Sequence, residues 1–179
     1  MIKSKFCEYI LGVDPGKAGA LVILDLNGNF VDLQDFPVDA TSEFASQPHS
    51  GKINTFLDPI RDKSIAFIEK VGAMPGDGRS TLWSFAENYG YWIGTLHANG
   101  IPCFGVRPQI WKSNYGLLKT DKKASIAKAK EIFPDHWQLL KRQKDHGRAE
   151  AMLIAYYGIR HSEPFIRAYD EVASRHSAQ

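Results

Sequence analysis

The sequence predicts an α/β fold in which a five-stranded mixed sheet, opening with three antiparallel strands, is flanked by helices. Five short apolar segments have the length and composition of strands. The first three follow one another with only turns between them, and the other two alternate with segments of helical periodicity. Strands that come first and then alternate with helices are typical of a mixed sheet with helices on its faces.

The first three predicted strands form an antiparallel meander. The apolar run 9–13 ends in the turn sequence Asp-Pro-Gly, which is a strong local turn signal. The run 19–25 is followed by Asn27 and Gly28, a pair typical of a hairpin turn. The segment 30–36 alternates apolar and polar residues and supplies the third strand.

The later strands are interleaved with helices. Segments 64–71 and 101–106 are the fourth and fifth predicted strands, and between them residues 81–99 carry apolar side chains at helical spacing. From the fifth strand to residue 159 the chain is predicted to be mostly helical, with interruptions at Pro134 and Gly147.

Length and composition predict one main domain with a short C-terminal addition. The 179 residues, 44% of them hydrophobic, suffice for a single buried core. We assign residues 1–159 to this domain and 160–179 to a C-terminal helix or tail. That tail is expected to dock, because four apolar residues recur in it at helical spacing: Phe165, Ile166, Tyr169 and Val172. Polar residues 38–52 predict a long connection, and 53–61 a short helix.

Cysteine usage and the N-terminus give a prediction of cellular location. Cys7 and Cys103 lie in apolar runs without zinc-ligand spacing, so they are predicted to be small buried hydrophobes. No signal peptide is evident, and no run approaches the ~20 apolar residues that span a bilayer. We therefore expect a cytoplasmic protein without a membrane partner.

Positive charge is concentrated in one part of the chain, although the net charge is only +2. Residues 107–148 contain only four acids, Asp121, Glu131, Asp135 and Asp145. The basic residues of this stretch are Arg107, Lys112, Lys119, Lys122, Lys123, Lys128, Lys130, Lys141, Arg142, Lys144 and Arg148. Such a block favours contacts with nucleic-acid phosphates over the alternative of a solvated helix face, because it joins two of the acidic segments in sequence.

Carboxylates stand at the ends of two predicted strands and at the start of a predicted helix. Asp14 directly follows the first apolar run, Glu69 interrupts the fourth near its end, and Glu150 precedes the apolar segment 151–157. A carboxylate in a buried strand is costly unless it is paired or bound to a metal. We therefore expect these groups to converge at one edge of the sheet. The simpler interpretations are a turn aspartate, a strand-edge residue and a solvated helix residue.

A convergent acidic cluster predicts a Mg²⁺ site, because this ion prefers carboxylate oxygens and keeps several waters. Two such ions can activate a water and stabilise the leaving oxygen of a phosphodiester. Two further residues lie beside Glu150 in the sequence. His146 is four residues upstream and shares its helical face, whereas Asp145 stands at the mouth of the helix, where it can equally be a cap.

Four segments, in this order, resemble the RuvC family of Holliday junction resolvases, in the style of the bacteriophage versions. They are ILGVDPGKAGALVILD; IEKVGAMPGDGRSTLWSFAENYG; VRPQIWKSNYGL with DKKASIAKAKEIFP; and DHGRAEAMLIAYYG. The resemblance spans about residues 9–158. It implies a ribonuclease H-like fold, a homodimer and a four-way DNA junction as substrate. It also implies symmetric nicking of opposing strands by two-metal hydrolysis, with Mg²⁺ as the cofactor and Mn²⁺ able to substitute.

The resemblance also implies roles for single residues. Asp14, Glu69 and Glu150 match the family's metal-binding acids. The family's remaining ligand stands three or four residues before the last acid, and some members have histidine there. In this chain His146 stands four residues before Glu150 and Asp145 five. Both remain candidates for the fourth ligand, with a slight preference for Asp145 because Mg²⁺ favours oxygen.

Lysines of the basic block match a second set of family positions. Lys112 and either Lys122 or Lys123 correspond to lysines near the scissile phosphate, where a cation neutralises charge that develops during displacement. Trp111, next to the first of these, is predicted to be a core residue rather than a platform for base stacking.

The loop 72–80 and the helix 81–99 bear on substrate and assembly. Relatives carry an aromatic wedge where this chain has Gly72, with Met74 as the only large apolar residue nearby. This departure argues against junction distortion by an aromatic wedge. The alternatives are a nuclease of the same fold for flapped and other branched DNA, or a catalytically silent junction binder, against which the presence of all three acids argues. The helix is unusually aromatic, which is typical of a partner contact, and the family uses this helix as its dimer interface.

Overall fold

The fold is taken from a computed structural model that describes residues 4, 6–36, 50–70, 72 and 78–177. Most of the predicted connection at 38–52 and the centre of the predicted loop at 72–80, including Met74, therefore lie outside the described residues. Within the described residues, no helix has the length and apolar character needed to cross a membrane.

The five predicted strands are present and form one mixed sheet. Its order is β3-β2-β1-β4-β5. β1 pairs antiparallel with β2 and parallel with β4, which pairs parallel with β5; β2 pairs antiparallel with β3. The strands are β1 Tyr9–Asp14, β2 Ala20–Asp25, β3 Phe30–Asp35, β4 Ser64–Glu69 and β5 Cys103–Val106. The predicted α/β fold with a mixed five-stranded sheet is confirmed.

Helices cover both faces of the sheet. Their bounds are α1 Ser50–Leu57, α2 Arg79–Ala98, α3 Pro108–Asn114, α4 Lys122–Ile132, α5 His146–His161 and α6 Glu163–Ser177. One core lies between the sheet and α5, with α3, α4 and α6 contributing, and the other lies under α1 and α2. Short 3₁₀ turns at Arg61–Lys63, Pro134–Leu140 and Gln143–Asp145 connect the elements.

Alternation along the strands decides which face each carboxylate occupies. Successive strand residues point to opposite faces of a sheet. Ile10 of β1 and Phe67 of β4 belong to the core under α5. Asp14 and Glu69, which follow them at even spacing, therefore share the α5 face. Because β1 and β4 are parallel, with Val13 opposite Ile68, the two carboxylates come to the same edge of the sheet.

Proline accounts for one difference between prediction and structure. The short helix predicted at 53–61 occupies Ser50–Leu57 and ends before Pro59, after which the chain turns into the 3₁₀ segment Arg61–Lys63. The residue before a proline is disfavoured in helical conformation, and the proline itself cannot donate the next helical hydrogen bond. The predicted interruption at Pro134 is confirmed, since a separate 3₁₀ segment begins there.

The C-terminal helix α6 docks against the sheet, as its apolar spacing predicts. Ile166 is buried, and the Phe165 ring lies 4.3 Å, centroid to centroid, from that of Phe104. The Tyr169 hydroxyl donates a hydrogen bond to the backbone oxygen of Asp62 at 2.8 Å. The Val172 side chain lies outside the described residues. The division of the chain at residue 159 stays a prediction.

The cysteines are free thiols. Cys7 is buried and Cys103 is partly buried. Burial raises the pKa of each thiol to about 12, which keeps both protonated and unreactive near neutral pH. The prediction that they are packing residues agrees with this environment.

Candidate metal centre and active-site cleft

Three of the predicted carboxylates meet at one point of the structure. Asp14 ends β1, Glu69 ends β4, and Glu150 lies near the start of α5. One oxygen from each lies within 4.8 Å of the others, a spacing that suits shared coordination of a metal ion. The structure thus brings together the three acids that the sequence singles out, while their catalytic roles remain proposals.

Asp14 is 7% exposed and its position is fixed by the turn after β1. Its Oδ1 accepts a hydrogen bond from the backbone N–H of Gly16 at 3.0 Å. The turn is tight, since a Cβ at Gly19 would stand 2.0 Å from the Asp14 backbone oxygen. Asp14 therefore does make the backbone contact of an ordinary turn aspartate, and it also belongs to the acidic cluster.

Trp111 holds the second carboxylate of the cluster. Its indole is fully buried, which agrees with the predicted core position. The same ring also donates a hydrogen bond from Nε1 to Glu69 Oε1 at 3.1 Å. Sequence reasoning missed this contact. The sequence held one indication of this contact: an aromatic residue that can donate a hydrogen bond lies in the segment after β5, the strand that neighbours β4 in the sheet.

Ser125 and Lys112 hold the third carboxylate. The Ser125 hydroxyl, buried on α4, donates to Glu150 Oε1 at 3.1 Å. The Lys112 Nζ lies 3.3 Å from the same oxygen and 5.0 Å from the centroid of the Trp111 ring. Among the described residues, Lys112 is the cation that forms a salt bridge with this cluster of three carboxylates, and it is itself partly exposed. Ser125 was also missed, because no sequence spacing links α4 to α5.

Electrostatics indicate that the cluster is short of positive charge. Burial, followed by the charges of Glu150 and Glu69, raises the pKa of Asp14 to about 8. Burial and the charge of Glu150 also raise the pKa of Glu69, against the opposing effects of Lys112 and Trp111. Carboxylates that repel one another in a desolvated site favour either a proton or a bound cation. The all-oxygen donor set fits Mg²⁺ or Mn²⁺.

A tight contact between α5 and the turn after β1 positions Glu150. Gly147 was predicted to interrupt the helical region, but it lies inside the first turn of α5. A Cβ at this position would stand 1.9 Å from the backbone oxygen of Ala18. Similarly, a Cβ at Gly12 would stand 2.2 Å from the backbone oxygen of Ala151. The glycines therefore permit a close approach of backbones rather than breaking the helix.

The structure separates the two candidates for a fourth ligand. Asp145 lies in the 3₁₀ turn before α5, is 3% exposed, and is not part of the acidic cluster. Its carboxylate accepts a hydrogen bond from the Arg142 backbone N–H at 2.7 Å and pairs with the Arg142 guanidinium at 2.7 Å. His146 instead lines the cleft of the cluster. Its Nδ1 lies 3.2 Å from the Gln143 backbone oxygen, and its Nε2 lies 3.1 Å from Lys122 Nζ.

A cleft of about 400 Å³ surrounds the carboxylates. Both predicted lysines, Lys112 and Lys122, line it, whereas Lys123 is not among the lining residues. Lys17, from the turn after β1, adds a third cation that sequence reasoning did not select. The lining comprises Asp14, Gly16, Lys17, Ala18, Gly19, Glu69, Phe85, Lys112, Leu117, Thr120, Asp121, Lys122, Ser125, His146 and Glu150. The cleft therefore combines a carboxylate cluster that could hold a metal ion with cations suited to phosphate oxygens.

Comparison with known sequences gives one partial match. No protein-family model matches the chain. A segment of 94 residues is 33% identical to the chloroplastic Holliday junction resolvase MOC1 of Chlamydomonas reinhardtii. The match covers 52% of this chain but only 11% of that protein.

Comparison with solved structures supports the fold over most of the chain. A Thermus thermophilus RuvC in complex with a Holliday junction substrate superposes with a TM-score of 0.63 at 14% identity. A second structure of Thermus thermophilus RuvC gives a TM-score of 0.61 at 15% identity. Each alignment covers 87% of this chain and 97% of the other. The predicted ribonuclease H-like fold of the RuvC type is confirmed, and so is the resemblance to a Holliday junction resolvase.

Proposed function

We propose that this protein is a metal-dependent endodeoxyribonuclease that resolves four-way DNA junctions. The observation that carries the proposal is the cluster of Asp14, Glu69 and Glu150 at one edge of a RuvC-like sheet. The sequence match to a Holliday junction resolvase supports the same substrate class. Its limited coverage leaves the activity itself to experiment.

In this proposal the three carboxylates hold Mg²⁺, for which Mn²⁺ can substitute, and His146, which lines the same cleft, is the candidate for the fourth ligand. When bound, a pair of such ions activates water and stabilises the leaving oxygen of a phosphodiester. The chain's own groups prepare this chemistry. Trp111 and Ser125 fix the carboxylate oxygens of Glu69 and Glu150 by hydrogen bonds.

The lysines of the cleft have a separate task. Lys112 and Lys122 line the same cleft as the carboxylates, where a DNA phosphate would have to enter. We propose that they neutralise charge on that phosphate as it is displaced. The remaining basic residues of 107–148 supply backbone contacts whose strength falls with salt. Asp145 has no catalytic task in this proposal, because Arg142 neutralises it.

Symmetric cutting requires two active sites, and we propose that a homodimer supplies them. The α2 surface carries an exposed aromatic group, since the Trp83 side chain is 72% exposed. A large exposed aromatic group on a helix is typical of a protein contact. A two-fold dimer formed by this helix would present two equivalent clefts to opposing strands.

A broader substrate range is the second candidate function. It rests on Gly72, which is exposed and where an added Cβ would meet no atom of the described residues within 4 Å. A wedge residue is thus missing at the position where relatives carry an aromatic ring. A nuclease without that wedge would cut flaps and other branched DNA as well as junctions.

The test compares three DNA substrates: a synthetic four-way junction, a flap and a linear duplex, each with Mg²⁺ or EDTA. Paired symmetric nicks on the junction alone, dependent on Mg²⁺, support the proposal. Equal cutting of junction and flap favours the broader nuclease, and equal cutting of all three contradicts junction resolution. Junction binding without cutting identifies a silent binder.

A further inference from the structure

A second cavity adjoins the catalytic cleft. It has a volume of about 330 Å³ and is lined by Lys17, Ser80, Ser84, Phe85 and Asn88. Lys17 and Phe85 line the catalytic cleft as well, so the two cavities share a wall. Its size is at the lower end of the range for small-ligand sites, which suits one nucleobase rather than a larger group.

Asn88 gives this cavity an unsatisfied polar wall. The residue is 1% exposed, and it lies on the face of α2 that continues through the buried residues Trp92 and Leu96. Its Oδ1 is one of two buried side-chain polar atoms without a hydrogen-bond partner among the described residues. Buried amide groups are nearly always paired in native proteins, so an acceptor that is unpaired among the described residues, beside a cavity, is suited to a donor on a bound ligand.

The other lining residues are suited to the remaining parts of a nucleotide. Phe85 is partly exposed between the two cavities, where its ring can stack on a base. Ser80 belongs to the first turn of α2, and the N-cap residue of that helix, Gly78, makes no side-chain capping bond. Such a helix start attracts a phosphate, and Lys17 adds a cation beside it.

We infer that this cavity is a nucleobase subsite, in which a base next to the scissile phosphate stacks on Phe85 and donates a hydrogen bond to Asn88. The inference rests on the proposed nuclease function, since the cleft must hold the phosphate. Its donor is an exocyclic amino group or a ring N–H of the base. Asn88 then determines the cleavage-sequence preference, a role that none of the metal-cluster residues fulfils.

The experiment measures cleavage-site preference on four-way junctions randomised around the crossover, with kcat/KM obtained for each base at each position. We expect the wild-type protein to favour one base at one position by about three- to tenfold, the discrimination that one hydrogen bond supplies. Asn88→Leu, which keeps the size of the side chain but removes the acceptor, should abolish that preference. Phe85→Ala, at a partly exposed position, should weaken kcat/KM for every base.

Thr95→Val is the matched control, because Thr95 is a buried polar residue of the same helix that does not line the cavity. It should keep the preference. A wild-type protein that cuts junctions with no base preference overturns the inference and leaves the proposed function standing, as expected if only water fills the cavity. An Asn88→Leu protein that keeps the preference, or loses activity equally for all bases, also overturns it. If the wild-type protein cuts no junction, the proposed function fails as well.

2-Aminopurine at the preferred position provides a readout that needs no cleavage. With Ca²⁺ in place of Mg²⁺, its fluorescence should change when the wild-type protein binds, because the base leaves the DNA stack and packs on Phe85. Phe85→Ala should give a higher fluorescence or no change from free DNA, Asn88→Leu should give a smaller change than the wild type, and Thr95→Val should match the wild type. Equal fluorescence for all four proteins contradicts base capture.

Discussion

Two acidic regions flank the turn after β1, and they differ in whether their negative charges are balanced by arginine side chains. On one side Asp14, Glu69 and Glu150 crowd together with the single amine of Lys112. On the other, each carboxylate has an arginine of its own. Asp145 pairs with Arg142, and Asp35 accepts hydrogen bonds from the Arg148 guanidinium.

The difference teaches which acids are structural. Paired charges satisfy each other and need no external ion, so the region of Asp35 and Asp145 is complete as it stands. The cluster is not, since burial and mutual repulsion raise the pKa of Asp14 and of Glu69. Proximity in sequence to Glu150 made Asp145 a candidate ligand, and in the structure its carboxylate pairs with Arg142.

The largest expected difference between the two regions is in catalysis. Asp14→Asn should lower junction cleavage by more than about 100-fold, beyond the loss typical of an outer-shell partner, and leave junction binding nearly unchanged. Asp145→Asn should lower cleavage less than about threefold under conditions where the protein is folded. Initial rates in Mg²⁺ and gel-shift binding in Ca²⁺ measure both quantities. Equal losses in the two variants would erase the distinction.

Stability should respond in the opposite sense. Asp145→Asn should lower the free energy of unfolding by about 1–3 kcal/mol, because it weakens charge-assisted hydrogen bonds to Arg142 at a buried position. In EDTA at pH 8, Asp14→Asn should instead raise it, because the substitution removes repulsion from the metal-free cluster. Urea unfolding followed by circular dichroism measures both changes. A destabilised Asp14→Asn protein under these conditions would contradict the electrostatic account.

Trp111 offers an intermediate effect that separates packing from metal binding. Trp111→Phe keeps most of the buried ring but removes the donor to Glu69 Oε1. We expect Mn²⁺ binding to weaken by about tenfold, as for other outer-shell partners. Raised metal should restore cleavage. Trp137→Phe is a control at an exposed indole, and it should not alter metal affinity. A Trp111→Phe protein that loses stability at unchanged metal affinity would show that the indole acts by packing alone.

The smallest expected effect is a pH dependence of stability in the metal-free protein. Folding raises the pKa of Asp14 from 3.8 to about 8. Between these two pH values the folded protein therefore keeps a proton on Asp14 that the unfolded chain has already released. Stability in EDTA should therefore fall as pH rises from 6 to 8, with Tm lower by at least about 2 °C. Excess Mg²⁺ should remove the fall, as should Asp14→Asn. A Tm in EDTA that rises over this interval would contradict the raised pKa.

The sequence predicted the sheet and three members of the cluster for one physical reason. An apolar run that ends in a carboxylate predicts both a buried strand and the sheet edge at which the acidic side chain lies. Asp14 and Glu69 could therefore be predicted to lie close together. Asp145 could not be placed in this way. It lies just outside α5, in a 3₁₀ turn where helical spacing no longer gives the direction of the side chain.

Contacts between distant elements were also beyond sequence reasoning. The hydrogen bonds of Trp111 to Glu69 and of Ser125 to Glu150 depend on how α3 and α4 pack against the sheet and α5. No periodicity within one segment encodes that packing. Gly147 shows the same limit. The close approach to Ala18 that requires a glycine at this position is evident only once α5 packs against the turn after β1.

Calorimetric titration with Mn²⁺ tests the central claim most directly, since it measures metal binding by the cluster independently of cleavage activity. The wild-type protein and Asp145→Asn should bind Mn²⁺ with similar affinity. Asp14→Asn and Glu150→Gln should each lose that binding while remaining folded by circular dichroism. Binding that survives in both cluster variants, or that is lost in Asp145→Asn instead, would contradict the assignment of the metal centre.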